Sequence, residues 1–450
     1  MKIKFLGASS GIVTGSSYVL TSGRGNSILI DLGMFQGVPA IDKLNYEPFD
    51  YDASKLVGAV LTHAHLDHCG RLPIILTGGF KGNIWMTPET RDLTELSLFD
   101  TAKIAKNNGK KILFDKNLVT ETLTRFKTVG LHTPFQIGDF TITMRDAGHI
   151  LGSTSLEIVD SNPNSEIKKI IFSGDLGNYP EPLEKVTETF EEGDAVVMES
   201  TYGDRLHPKL DAADAVQSEI NTIEKSGGTL LIPSFSLEKT QELLHMIMHL
   251  KKDGKVLAQT PIYLDGPMAE KATIIYRNYP SSLNSHIEEE FKNGDPFEFA
   301  GLNVINHENK VENLYEIPGP KVIMAGSGMM VGGKIVSHAA YYLPLESTRL
   351  LIVGYQGDGT LGRQILDGNK KVTINGKGID VKATISSTQA MSSHADQSQL
   401  INWFKSIKNV KKLFITHGED TSRSALSAKI TKDLGLKDIT LPILSQEVEL

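Results

Sequence analysis

Four side chains suited to binding metal leave the end of one apolar run. They lie in Thr62-His63-Ala64-His65-Leu66-Asp67-His68, directly after Lys55 to Leu61. An apolar run that stops at a polar cluster reads as a strand whose end projects functional groups from a rigid edge into a cleft. Imidazole and carboxylate donors without sulfur suit zinc or a similarly borderline divalent ion. Four donors within six residues exceed what one ion easily uses and point to a pair of ions about 3.5–4 Å apart. A polar surface loop whose histidines merely bond their neighbours is the bland alternative, and the density of ligands argues against it. Two further elements that would complete a binuclear site follow in order: Ala147-Gly148-His149 and Phe172-Ser173-Gly174-Asp175, each after a strand-like run.

The rest of the chain supplies the scaffold. Short apolar runs separated by glycine and polar turns (Ile3 to Leu6, Ser17 to Leu20, Ile28 to Ile30, Leu56 to Leu61) predict an early sheet. Helical spacing takes over from about Thr87 to Phe126, where Leu93, Leu96 and Phe99 to Ile104 share a face in this reading. Strands return at Phe140 to Met144, Thr154 to Val159, Lys169 to Phe172 and Ala195 to Met198. After Arg205 helices alternate with apolar strands, the pattern of a mostly parallel sheet covered on both faces. The last seventy residues resume with VKATISS, the helix QSQLINWFKSIK and the strand KKLFITHGE.

Composition sets limits. Apolar residues make up 40% and charged residues 22% of the 450, values of an ordinary globular chain with a sizeable core. No window holds eighteen uninterrupted apolar residues, so no membrane partner is expected and the reading is cytoplasmic. The single cysteine, Cys69, excludes an internal disulfide and a thiolate cage and fits a reducing compartment. A net charge of −8 argues against a broad basic surface for nucleic acid, so any such grip must be local. The pairs Lys110-Lys111, Lys168-Lys169, Lys251-Lys252, Lys370-Lys371 and Lys411-Lys412 are read as solvated surface.

The motifs HAHLDH, GH and SGD, preceded by Asp31 in ILIDLG, resemble the successive motifs of the metallo-β-lactamase superfamily. That resemblance implies that His63, His65 and His149 hold one zinc, that Asp67 and His68 hold the other, and that Asp175 bridges them. It makes Asp31 the group that orients a ligating imidazole; a simple turn aspartate before Gly33 is the alternative. Substrate requires separate motifs, because this superfamily serves many reactions. Glu199-Ser200-Thr201-Tyr202-Gly203-Asp204-Arg205, Ser392-Ser393-His394-Ala395-Asp396 and Thr416-His417-Gly418-Glu419 resemble motifs A, B and C of the β-CASP nucleases. PSFSLEKTQELL, YLDGPMA, AGSGMMVGG and VGYQGDGTLGRQIL are similar to the bacterial and archaeal RNA-processing branch, related to the nuclease subunit of the cleavage and polyadenylation specificity factor. The resemblance implies His417 as a ligand of the second metal and His394, oriented by Glu199, as general acid. A histidine in motif C resembles RNA-directed members, where DNA-repair relatives carry valine. Met391-Ser392 and Lys239 depart from the usual phenylalanine-serine and arginine. The RNA-binding KH domains of archaeal members are not expected, since the catalytic sheet starts at residue 3.

The expected architecture is therefore α/β: an αββα metallo-β-lactamase sandwich from residues 1–204 and 379–450, with an α/β β-CASP domain, 205–378, inserted and the active site at their junction. The expected cofactor is two Zn2+ per chain, with Mn2+ or Fe2+ acceptable to the same donors. The expected partner is single-stranded RNA, hydrolysed internally, from the 5′ end, or both; a homodimer is left open. A DNA-directed nuclease, a small-ester hydrolase and a silent RNA-binding subunit are the alternatives. Ser327 and Gly328, in Ala325 to Met329, read either as a phosphate cradle or as a sharp strand-to-helix turn. Arg363 reads as a phosphate ligand or as half of an ion pair. His245 and His249, four apart and without an acid nearby in sequence, read as a helix surface.

Overall fold

The computed structural model describes residues 1–107, 112–209, 211–305, 314–357 and 359–450; the Lys110-Lys111 pair and Asp358 of the VGYQGDG stretch lie outside them. The chain divides into two compact units, Met1–Leu206 with Ser393–Leu450, and His207–Ser392.

The first unit is built on two seven-stranded sheets. One runs in the order 447–449, 2–5, 18–21, 27–30, 56–60, 83–86, 126–128, and the other 439–440, 412–415, 195–198, 169–172, 154–160, 140–146, 135–137. Side-chain alternation explains how the layers form. Ile28 and Ile30 point into the space between the sheets while Leu29 points out; Ile170 and Phe172 point in and Ile171 out; Phe414 points in and Leu413 and Ile415 out. Both sets are buried, so these strands read in sequence as continuous apolar runs and not as alternating ones. Phe5 meets Phe414 across the sandwich at 5.2 Å between ring centroids, and Tyr18 meets Phe172 at 5.6 Å. Burial of each such ring stabilises the fold by roughly 1.5–3 kcal/mol.

Helices cover the outer faces. Pro88–Asn107 and Lys116–Leu123 bring Leu98, Ala102 and Val119 against Leu29, Ala59 and Ile84. Gln397–Lys405 and Asp420–Leu434 bring Leu400, Trp403, Leu426 and Ile430 against Val196, Met198 and Ile415. The result is the αββα sandwich expected from sequence. The buried stripe of the Pro88–Asn107 helix differs from the expected one. Thr90, Leu93, Thr94, Ser97 and Leu98 are buried, Leu96 is only half-buried, and Ile104 is exposed. Small hydroxyl residues occupy the inward stripe, so the apolar residues alone misplace it.

The second unit has a six-stranded sheet in the order 302–304, 262–264, 321–325, 229–233, 348–352, 384–387, with every pairing parallel. Parallel strands need crossover connections, and the helices Lys239–Lys252, Pro267–Asn278 and Gly333–Tyr342 lie on them. Thr384–Ser387 pairs with Thr348–Ile352, so residues 379–392 go with this unit, past the boundary at 378 expected from sequence. A short run such as TISS carries no mark of which sheet it will join; its hydrogen-bonding partner decides.

Candidate metal centre

Every side chain of the ligand motifs in the first unit follows a strand. Asp31 comes directly after Ser27–Ile30, Asp175 three residues after Lys169–Phe172, Glu199 after Ala195–Met198, and His417 two after Lys412–Ile415. Strand Leu56–Val60 leads through Leu61 and Thr62 into His63 and His65, and a short helix, Leu66–Cys69, carries Asp67 and His68. Asp31 and His417 have φ of 55° and 48°, a left-handed conformation that costs energy for non-glycine residues and concentrates at functional sites. Gly33 lets the Asp31 loop lie against this helix: a Cβ there would fall 1.5 Å from the Asp67 carbonyl oxygen. The N–H groups of Leu32 and Met34 donate to the carbonyls of His68 and Leu66 on either side.

Two donor clusters result. His63, His65, His149 and Asp175 form one, and Asp67, His68 and His417 the other, with the ligand atoms of each within 4.8 Å of one another. Asp175 faces both. Its Oδ2 lies 3.4 Å from His63 Nε2 and 3.6 Å from His149 Nε2, and its Oδ1 lies 3.2 Å from His68 Nε2 and 3.6 Å from His417 Nε2. Asp67 Oδ2 is 3.4 Å from His417 Nε2, and His65 Nδ1 is 3.1 Å from His149 Nε2. Among the described residues, His63 Nε2 and Asp175 Oδ1 are buried with no hydrogen-bond partner. Orphaned buried lone pairs are costly, and two of them converging where six other donors meet fit a cation.

The outward-facing ring nitrogens are held. His68 Nδ1 lies 2.8 Å from Asp31 Oδ2, His63 Nδ1 3.1 Å from Thr62 Oγ1, His149 Nδ1 3.0 Å from the Ser393 carbonyl, and His417 Nδ1 3.1 Å from Thr201 Oγ1. Asp31, 2% exposed, also accepts from the Thr62 N–H and hydroxyl, both at 2.8 Å. Its carboxylate bonds Thr62 and His68 and is not among the donors of either cluster. Thr62 and Thr201 play parts that sequence alone does not reveal; their position next to His63 and two residues after Glu199 is the only signal.

Charge follows the same division. Burial, reinforced by neighbouring imidazoles, holds His63 and His149 well below the usual histidine range, and burial brings His65 down to about 4. These rings are neutral, the form that can ligate metal. Burial opposes charge on His68 and His417 too, but Asp175 overrides it, helped by Asp31 at His68 and Asp67 at His417, and both are raised. Burial alone would raise Asp175; His417, His68 and His63 overcome it and hold the carboxyl far below the carboxylate range. Burial pushes the Cys69 thiol up, so it stays protonated, with Sγ on the Ala64 carbonyl at 3.3 Å.

Next to the clusters, His394 Nδ1 lies 3.0 Å from Glu199 Oε1. Glu199 is buried and accepts from the N–H groups of Leu176 at 2.8 Å and Thr201 at 3.1 Å. The backbone around His394 is fixed, with the Asn178 N–H on the Ser393 carbonyl and the Ala395 N–H on that of Leu176. Burial disfavours the charged ring, yet the Glu199 carboxylate outweighs it and His394 is raised to about 9. Its ring centroid is 4.5 Å from that of His149. Asp396 of the same motif caps the Gln397–Lys405 helix in a capping box with Gln399.

In the second unit, the Ala325–Met329 stretch links the strand Lys321–Ala325 to the helix Gly333–Tyr342. Ser327 Oγ accepts from the Val331 N–H at 3.1 Å, and the Met330 N–H donates to the Ser327 carbonyl. Gly328 is packed on Phe235, where a Cβ would come within 2.5 Å of the ring. Arg363 Nε pairs with Asp367 at 2.9 Å, the ion-pair alternative weighed above. Lys239 is buried between Glu238 and Glu242, at 3.0 and 2.6 Å. His245 and His249 do have an acid beside them: Glu290, 41 residues beyond His249 in sequence, meets both at 2.9 Å, which corrects the reading of that helix face.

Comparison with known proteins agrees with this architecture. The metallo-beta-lactamase superfamily model matches residues 11–251, the Beta-Casp domain model 240–365, and the model of the Zn-dependent metallo-hydrolase RNA specificity domain 378–442. Ribonuclease TTHA0252 of Thermus thermophilus is 33% identical, covering 92% of each chain. RNase aCSPSF2 of Saccharolobus solfataricus is 31% identical over 100% of this chain and 85% of its own. Transcription termination factor FttA of Methanosarcina mazei is 30% identical over 94% of this chain and 68% of its own. A crystal structure of a protein of unknown function from Enterococcus faecalis V583 shares the fold at a TM-score of 0.56 and 13% identity, covering 100% of this chain and 99% of that one.

Proposed function

The chain belongs to the metallo-β-lactamase superfamily and carries a β-CASP domain, and on that premise we propose that it is a two-zinc ribonuclease that hydrolyses phosphodiester bonds of single-stranded RNA. The observation that carries the two-ion reading is Asp175, with one carboxylate oxygen toward each histidine cluster. His63, His65 and His149 would hold one ion, Asp67, His68 and His417 the other, and Asp175 would bridge them. Bound there, the metals supply Lewis acidity toward a phosphoryl oxygen and make water acidic enough to attack at neutral pH. Asp31, Thr62, Thr201 and the Ser393 carbonyl keep the ligating nitrogens aimed inward.

His394 holds the proton that the leaving oxygen requires. Its Nδ1 pairs with Glu199, and proton delivery by the ring contributes typically 10²–10⁴-fold. Glu199, held by two backbone N–H groups, positions this ring and keeps it charged. RNA as the polymer rests on the RNA specificity domain and on the relatives named ribonucleases. No helix among the described residues is long and apolar enough to cross a membrane, and the lone cysteine supports a reducing, cytoplasmic setting.

The test is cleavage of a 5′-labelled single-stranded RNA beside DNA of the same sequence, with zinc content measured in parallel. Cutting of RNA alone is expected. His394→Ala should keep its metal and lose 10²–10⁴-fold in rate, whereas His63→Ala should lose metal and activity together. Fully metallated wild-type protein that cuts neither polymer would overturn the nuclease reading in favour of a small-ester hydrolase.

A further inference from the structure

The second unit contains a donor cluster outside the metal centre described above. His245 and His249 sit one turn apart on the helix Lys239–Lys252, and Glu290 lies on the helix Ser285–Asn293. His245 Nε2 is 2.9 Å from Glu290 Oε2, His249 Nε2 is 2.9 Å from Glu290 Oε1, and the two Nε2 atoms are 3.0 Å apart. Protons satisfy this triangle poorly. If both Nε2 atoms carry hydrogen to reach the carboxylate, two N–H groups face one another at 3.0 Å; if one is bare, its carboxylate oxygen loses its donor. Three lone pairs converging on a common centre satisfy all of it at once.

We propose that His245, His249 and Glu290 form a further metal site that takes a zinc-class divalent cation and joins the two helices. Two imidazoles and one carboxylate are a donor set that zinc accepts, and nitrogen donors select against magnesium and calcium. Burial is graded as such a site needs. The side chain of His245 is 6% exposed, while those of Glu290 and His249 are 27% and 37% exposed, so the ion has a path in and room for water. His286, one turn before Glu290, has its ring centroid 6.3 Å from that of His245 and is not among the donors whose ligand atoms lie within 4.8 Å of one another, which leaves the remaining coordination positions to water. The residue after His245 is Met246, so the carboxylate base that accompanies two helical histidines in zinc peptidases is missing. The site therefore fastens helices and does not hydrolyse.

This inference does not depend on the nuclease reading, and its test does not use activity. The full chain, His249→Ala and Glu290→Gln are equilibrated at one buffered free-zinc level, and zinc per chain is measured by mass spectrometry alongside thermal melts with and without zinc. Each variant should hold one zinc per chain fewer than wild type, and the zinc-induced rise in its melting midpoint should be smaller. Should His249→Ala fold poorly by circular dichroism, Glu290→Gln, which preserves size and hydrogen bonding, decides the matter. Equal zinc content in wild type and a folded variant overturns the site and leaves a hydrogen-bonded His–Glu–His triad.

Discussion

Replacing Asp31 with asparagine tests how the centre is held, because it changes one atom and leaves the packing alone. Asp31 has three partners at 2.8 Å: the Thr62 N–H, the Thr62 hydroxyl and His68 Nδ1. An asparagine can still accept from the Thr62 N–H through its oxygen. Its amide group then faces His68 Nδ1, which must become an acceptor, and the ring proton moves to Nε2. That is the nitrogen 3.2 Å from Asp175 Oδ1, proposed to ligate. Loss of such an orienting partner costs roughly 10–100-fold in metal affinity, about 1.4–2.8 kcal/mol. The loss should be confined to the ion held by Asp67, His68 and His417. In zinc-buffered dialysis the variant should hold one zinc per chain fewer than wild type at a free-zinc level that leaves wild type fully loaded. Raising zinc 10–100-fold should restore both metal and RNA cleavage. Wild-type affinity for both ions in Asp31→Asn would refute the claim that this carboxylate sets the tautomer of His68.

Other consequences are as direct. The proton on His394 is kept there by Glu199 and is lost as pH rises through the ring's raised pKa, so cleavage should decline on the alkaline side; Glu199→Gln should move that decline to lower pH in a pH–rate profile without removing metal. Gly33→Ala would set a methyl 1.5 Å from a backbone oxygen, so the Asp31 loop and the Leu66–Cys69 helix must separate; metal content should fall while far-UV circular dichroism stays near wild type. Removing metal with a chelator should lower the melting midpoint, since four buried imidazoles and Asp175 would keep their burial and lose their cation; an unchanged midpoint would mean that the ions contribute nothing to stability.

Much of the site was legible because its parts are local. HAHLDH places four donors at one strand end, and Asp31, His149, Asp175, Glu199 and His417 each follow an apolar run that one can read directly. Those runs are continuous because both faces of each sheet are covered, one by the opposite sheet and one by helices. Legibility failed where a small polar residue took a buried place. The inward stripe of the Pro88–Asn107 helix includes Thr90, Thr94 and Ser97, which carry no apolar signal. It failed too for a short strand such as Asn83–Met86, whose pairing depends on Gly58–Val60, some 25 residues earlier, and on Phe126–Thr128, some 40 residues later.

By itself the sequence determined donor types, their order and the strand ends that present them, since these follow from side-chain chemistry and from periodicities spanning a few residues. Only the tertiary structure decided which donors meet. Asp175 lies between two clusters, Thr201 lies behind His417, Glu290 reaches His245 and His249 across 41 and more residues, and Thr384–Ser387 joins the parallel sheet. The reason is physical: a hydrogen bond or a shared cation depends on distances of a few ångströms, and those are set by the packing of whole sheets and helices, which no local pattern encodes.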